Sequence, residues 1–173
     1  MSRSLYGENM AYKVLVLDPL KCTGCRICEL ACSYMAKKSF NPAISRIRVI
    51  NWFEKGISIP IYCQQCDPAP CLEVCPTGAL YRDVDTNVVL WNKDKCIGCK
   101  ACIAICPFGA IFYDPKEKLI TKCDMCNGKP LCVELCPTGA LSYEEALKII
   151  DAKRREAATK FYELMTKLTI VGR

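Results

Sequence analysis

CIGCKACIAICP occupies residues 96–107, and the spacing of its cysteines decides how the rest of the chain is read. Cys96, Cys99 and Cys102 fall at every third residue, Cys106 follows four later, and Pro107 stands directly behind it. Three thiolates within about seven residues, with a fourth on a short helical segment, is how a chain wraps one corner of an iron-sulfur cube. Upstream the same tight spacing returns as Cys22, Cys25, Cys28 and Cys32. Two expanded versions complete the set: Cys63, Cys66, Cys71 and Cys75, then Cys123, Cys126, Cys132 and Cys136. The four groups use all sixteen cysteines of the 173 residues. Zinc sites instead favour separated C-x2-C pairs, two ligands from each of two knuckles. A disulfide framework belongs to an oxidising compartment. The N-terminal MSRSLYGENMAYK carries neither an apolar h-region nor a twin-arginine pair. The expected location is therefore the cytoplasm, with export inside a folded complex, on a partner's signal, left open.

Other features repeat with the cysteines. CPTGAL stands at 75–80 and at 136–141, and CPFGAI at 106–111. Proline ends the short helix that bears the cysteine, glycine permits a turn, and the next two residues open a strand. The first group has Ser33 where that proline would be, so the end of its helix stays open. Gly24 and Gly98 precede the second cysteine of the tight groups, where a missing side chain lets backbone amides approach cluster sulfurs. Lys21, Lys95 and Lys122 each precede the first cysteine of a group, and Tyr62 takes that place in the second. For the lysines, solvated surface charge and a role in potential or docking are equally open. Between the groups, ALYRDVDTNVVLWN, AIFYDPKEKLI and SRIRVINWFEKGISIPIYC read as hairpins, the last turning at Lys55 and Gly56.

Cysteine makes up about 9% of the chain, and without it the 51% hydrophobic content falls to about 42%, so the core needs its cysteines. The formal charge of +6 invites a nucleic-acid reading. A 4Fe-4S core with four thiolates adds about −2, so four of them bring the total to about −2. The basic excess then compensates buried negative cofactors. Without aromatic and basic residues interleaved as in single-strand binders, nucleic acid is not an expected partner. No run of 18 apolar residues exists, so no direct membrane span is expected. Histidine is absent, every cysteine is assigned, and no glycine-rich phosphate loop occurs. The chain is expected to be non-catalytic and to carry electrons.

CQQCDPAPCLEVCPTGA and CDMCNGKPLCVELCPTGAL, with the two tight groups, resemble the four-cluster ferredoxin-like electron-transfer subunits of molybdenum and tungsten pterin oxidoreductases. These are the iron-sulfur subunits of the dimethyl sulfoxide reductase type. The likeness covers about residues 12–143. Gap lengths between the groups do not decide which groups share clusters; in two-cluster ferredoxins the fourth cysteine of a run ligates the other cluster. The resemblance implies nesting, first group with fourth and second with third. It then implies Cys22, Cys25, Cys28 and Cys136 for cluster 1, and Cys123, Cys126, Cys132 and Cys32 for cluster 2. Cluster 3 would take Cys63, Cys66, Cys71 and Cys106, and cluster 4 Cys96, Cys99, Cys102 and Cys75. Some relatives carry tryptophan in the third group, whereas Cys99 is present here, so four 4Fe-4S clusters are expected.

The expected fold is α+β: two ferredoxin-like two-cluster halves with short strands and helices, plus a C-terminal amphipathic helix. Residues 12–32 and 115–143 would form the first half, 33–62 a hairpin insertion, 63–114 the second half, and 144–170 the helix. Leu147, Ile150, Ala157, Phe161, Leu164 and Leu168 form the helix's apolar stripe, interrupted by Arg154; it would pack on its own cluster domain or clamp a partner. The implied function is a redox wire between a large catalytic pterin subunit, with a tungsten aldehyde oxidoreductase type leading, and ferredoxin or another electron carrier. A freestanding polyferredoxin, or service to a formate dehydrogenase or hydrogenase complex, is the alternative.

Overall fold

The computed structural model describes residues 12–171. The stretch 1–11, read above for an export signal, and the side chain of Leu168 lie outside the described residues. The elements run β1 (Lys13–Leu17), α1 (Ile27–Lys37), β2 (Arg48–Trp52), β3 (Ile57–Ile61), α2 (Pro70–Glu73), β4 (Leu80–Arg82), β5 (Val89–Trp91), α3 (Ala101–Ile105), β6 (Ile111–Asp114), β7 (Leu119–Lys122), α4 (Leu131–Glu134), β8 (Leu141–Glu145) and α5 (Ala146–Val171). The chain is α+β. Residues Leu15–Tyr143 make one compact unit, and the stretches flanking them make another.

Each hairpin pattern in the sequence forms an antiparallel ladder. β2 pairs with β3, Arg48 opposite Ile61 and Trp52 opposite Ile57. A 3-10 turn at Phe53–Lys55 closes it, and Gly56 takes the left-handed conformation that ends the turn. β4 pairs with β5 through Tyr81 and Leu90, and β6 with β7 from Ile111 opposite Lys122 to Asp114 opposite Leu119. β1 pairs with β8.

These strands frame four cysteine-bearing helices. α2, α3 and α4 are four or five residues long and stop ahead of Pro76, Pro107 and Pro137. α1 runs eleven residues, because Ser33 does what a proline could not. It is fully buried, its hydroxyl donates to the Leu30 carbonyl at 2.8 Å, and it accepts from the Asn41 amide at 3.2 Å. The helix continues until Lys38 turns left-handed.

Within the larger unit the buried apolar residues form two clusters. One gathers Leu15, Ile47, Val49, Tyr62, Met125 and Leu141 around Cys28, Cys32 and Cys132. The other gathers Ala69, Leu80, Val89, Ile111 and Ile120 around Cys102. Cysteines belong to both cores, in keeping with the modest supply of aliphatic residues.

In the second unit, α5 begins at Ala146, two residues after the helical pattern starts, because Glu144 and Glu145 continue β8. From Asp151 to Thr166 every residue is exposed, Phe161 and Leu164 included. Ion pairs three or four residues apart, Arg154 to Asp151 and Lys160 to Glu156, support the helix locally. Among the described residues no helix is long and apolar enough to cross a membrane.

Candidate iron-sulfur centres

Sixteen free thiols distribute over the larger unit, and cysteines distant in sequence meet. One cavity is lined by Cys22, Cys25 and Cys28 of the first group together with Cys136 of the fourth. A second is lined by Cys123, Cys126 and Cys132 of the fourth group with Cys32 of the first. A third joins Cys96, Cys99 and Cys102 of the third group to Cys75 of the second. The remaining four interact electrostatically: burial first, then charge at Cys63 and at Cys106, pushes the Cys66 and Cys71 thiols up.

The loops that present three cysteines at once depend on left-handed backbone. Gly24 and Arg26 adopt it in the first group, Gly98 and Lys100 in the third. Glycine is required at the first of each pair for a second reason. A Cβ on Gly24 would lie 2.4 Å from the Ser58 hydroxyl of β3, and one on Gly98 would lie 2.5 Å from the Lys118 carbonyl oxygen. A neighbouring hairpin thus passes directly over each tight loop. The expanded groups turn differently, through Gln65 in the second and a left-handed run from Met125 to Gly128 in the fourth. Gln65 also ties the groups together: its side chain accepts from the Val89 amide at 2.8 Å and donates to the Cys123 carbonyl at 3.3 Å.

The repeated word CPTGA folds as a cradle for its own cysteine. The Thr77 hydroxyl stands 3.8 Å from Cys75 Sγ, and Thr138 stands 3.9 Å from Cys136 Sγ. In the third copy, where phenylalanine replaces threonine, the Ala110 amide donates to Cys106 Sγ at 3.4 Å. Burial would raise the Cys75 and Cys136 thiols, yet both lie below the usual value. The amides of Leu80, Thr77 and Ala79, with the Thr77 hydroxyl, outweigh burial at Cys75, and those of Leu141, Ala140 and Thr138 do so at Cys136. The first group lacks the word, and Cys32 takes its hydrogen bond from the Arg46 amide instead, at 3.2 Å. Cys75 and Cys136 therefore sit where a thiolate is favoured. At four others burial dominates, pushing Cys28 and Cys123 up to about 12 and Cys102 and Cys126 to about 11. As free thiols those four are protonated at neutral pH, and a bound metal displaces the protons.

Two cations stand near the buried cysteines. Arg46 lines the cavity of Cys32, Cys123, Cys126 and Cys132 and pairs with Asp124, while its Nε is buried without a partner. Burial opposes its charge, but Asp124 and then the Cys32 and Cys123 sulfurs hold the guanidinium above its ordinary pKa. Lys122, unlike the exposed Lys21 and Lys95, is only 2% exposed. Sequence spacing puts these three lysines in one class, and only the hairpin β6–β7 separates them by turning Lys122 inward. Arg46, Thr77, Thr138 and Gln65 carry no signal in the cysteine spacing; Thr77 and Thr138 are legible only as part of the repeated word.

The donor chemistry fits 4Fe-4S clusters. Among the described residues no three His, Cys, Asp or Glu side chains converge tightly enough for a single metal ion. A tetrahedral zinc would hold its four sulfurs at about 2.3 Å. A cube with iron at four corners spreads its thiolates wider. The unpartnered Arg46 Nε and the amide cradles face cysteine sets that would carry negative charge once loaded.

Comparison with known proteins agrees with this chemistry. Residues 55–146 match the family model described as "4Fe-4S dicluster domain", and residues 19–34 match a "4Fe-4S binding domain". A polyferredoxin-like subunit of aliphatic sulfonate oxidoreductase from Pyrococcus furiosus is 46% identical over 88 residues, 51% of this chain and 50% of that one. Protein NrfC of Escherichia coli is 40% identical over 117 residues, 64% of this chain and 52% of that one. The thiosulfate reductase electron transfer subunit PhsB of Salmonella typhi is 34% identical over 117 residues, 64% and 60% respectively. The chain thus spans 50% to 60% of the length of these relatives. With more than half of its residues matched and sixteen cysteines grouped in the manner described, the chain belongs to the 4Fe-4S dicluster domain family.

Proposed function

We propose that the chain is a non-catalytic electron-transfer subunit of an oxidoreductase complex, holding four 4Fe-4S clusters in a line. The observation that carries this reading is that three cavities are each lined by three cysteines of one group and one of another. When bound, each cluster takes up and releases one electron. The ligand sets we assign are Cys22, Cys25, Cys28 and Cys136; Cys32, Cys123, Cys126 and Cys132; Cys63, Cys66, Cys71 and Cys106; and Cys75, Cys96, Cys99 and Cys102. Shared cavities support three of these sets, and mutual electrostatic action supports the other.

Exposure supports the order. Cys25 and Cys99 are exposed and belong to the first and last sets, which serve as the two ends. The two inner sets contain no exposed cysteine. Interactions between neighbouring sets support that order. Charge at Cys28 reaches Cys132, Gln65 links the second group to Cys123, and charge at Cys71 reaches Cys102. We also read the larger unit as two two-cluster halves, on the strength of its two apolar clusters. Their boundary is best placed after Lys122, because β6 and β7 form one hairpin and Ile120 belongs to the second apolar cluster.

For the partner we infer a large molybdenum or tungsten pterin subunit, of tungsten aldehyde oxidoreductase type, with ferredoxin or a similar carrier at the far end. The likeness of the expanded cysteine groups to subunits serving such enzymes supports it, as do relatives named as subunits of oxidoreductases. Native purification followed by mass spectrometry and a tungsten and molybdenum assay tests this. A stable complex with a metal-containing large subunit is expected, and a chain that purifies alone would overturn the fixed partner.

A further inference from the structure

Lys122 closes β7 opposite Ile111, and that register turns its side chain into the interior rather than outward. Its Nζ donates to the Val89 carbonyl and, at 2.7 Å, to the Cys123 carbonyl. Val89 belongs to the apolar cluster against which Cys71 and Cys106 pack, and Cys123 to the neighbouring set. The ammonium therefore lies at the junction of the two inner cysteine sets. Among the described residues no ion pair includes it, whereas Lys21 pairs with Asp18 at 3.1 Å and Lys37 with Asp114 and Glu117 at 2.6 Å. Arg46, the other cation at the inner sets, already has Asp124.

An ammonium buried without a counter-charge costs far more than two carbonyl hydrogen bonds return. The missing negative charge has to lie close by. Beyond the carbonyls, the anionic groups within reach are the thiolates of the inner sets. Cys71 and Cys106 pack against the same apolar cluster as Val89, and Cys123 is the next residue along the chain from Lys122.

We propose that Lys122 is the shared counter-cation of the two inner cluster sites and raises the reduction potential of both, a reading that rests on the four-cluster assignment above. An added electron makes a site more negative, and a fixed cation beside it stabilises that reduced state more than the oxidised one. A single lysine between two sites ties their potentials together. Lys21 and Lys95 hold the same sequence position before their groups, but they are exposed and screened by water.

The experiment is a dithionite titration of the anaerobically purified full chain, followed by EPR, with iron counted in every sample. Lys122→Met removes the charge, Lys122→Gln keeps donors for the two carbonyls without it, and Lys122→Arg keeps the charge. With about 16 irons retained, Lys122→Gln and Lys122→Met should each lower two of the four couples by about a tenfold change in the oxidised-to-reduced ratio, 59 mV for one electron. Lys122→Arg should restore both, and Lys21→Met and Lys95→Met should move none. If the neutral variants fail to load iron while Lys122→Arg loads fully, the requirement is for charge and the proposal stands. Full iron with unmoved couples in Lys122→Gln, or failure of all three variants to load, would overturn it. A wild-type iron count well below 16 would instead overturn the four-cluster assignment.

Discussion

At the scale of the residue, the fourth cysteine of each group differs from the other three. On the proposed assignment it joins another group's set, and in the structure it takes N–H donors from Arg46 at Cys32, from Ala110 at Cys106, and from the CPTGA turns at Cys75 and Cys136. Cys136→Ser is therefore expected to abolish the same EPR signal as Cys25→Ser, and Cys32→Ser the same signal as Cys126→Ser. Signals that group by sequence neighbourhood would refute the nested sets. The tight-loop glycines give a stability prediction. Gly98→Ala adds a clash with the Lys118 carbonyl to the cost of left-handed backbone, whereas Gly78→Ala meets nothing within 4 Å. Strain of this kind costs about 1–3 kcal/mol, so Gly98→Ala should lower the denaturation midpoint of the loaded protein clearly more than Gly78→Ala. Cysteine identity and count were fully legible in the sequence. The partnership of Arg46 with Cys32 was not, because it spans fourteen residues and uses a backbone amide that any residue would supply.

Among elements, the CPTGA turn explains more than its role as punctuation. Its proline ends a helix and its glycine turns the chain, and together they aim amides and a threonine hydroxyl at the sulfur just passed. Thr77→Val and Thr138→Val each remove one hydroxyl near a sulfur while leaving the amides. Each is expected to lower a single couple in a potentiometric titration, by less than loss of Lys122, and to leave the iron content unchanged. The hairpins were legible from alternating apolar residues around polar turns, and they formed where that pattern placed them. The length of α1 was not, since Ser33 acts through Asn41, eight residues away. In the last helix the residues from Asp151 to Thr166 are exposed. A chain ending after residue 150 should keep its full iron content and visible spectrum. Loss of iron on that truncation would show that α5 has a part in cluster retention.

For the molecule as a whole, the cysteines are core as much as ligands. Cys28, Cys32 and Cys132 sit in one apolar cluster and Cys102 in the other, so stripping the iron leaves buried thiols around empty volume. Chelation under acid or reducing conditions is expected to abolish cooperative unfolding and most far-UV circular dichroism, with recovery on anaerobic reconstitution. Net charge was legible as a number, but its meaning depended on cofactors: +6 reads as a basic protein until the clusters are included. Burial then sets one lysine of three, Lys122, apart as the one turned inside. Four clusters held by sixteen cysteines fix the metal content, so the deciding measurement is iron and acid-labile sulfide per chain after anaerobic purification, read with the visible spectrum. About 16 of each, with a broad iron-sulfur absorbance, is the predicted result. About four metal atoms per chain with zinc dominant, or about half the expected iron with half the cysteines open to alkylation, would contradict it.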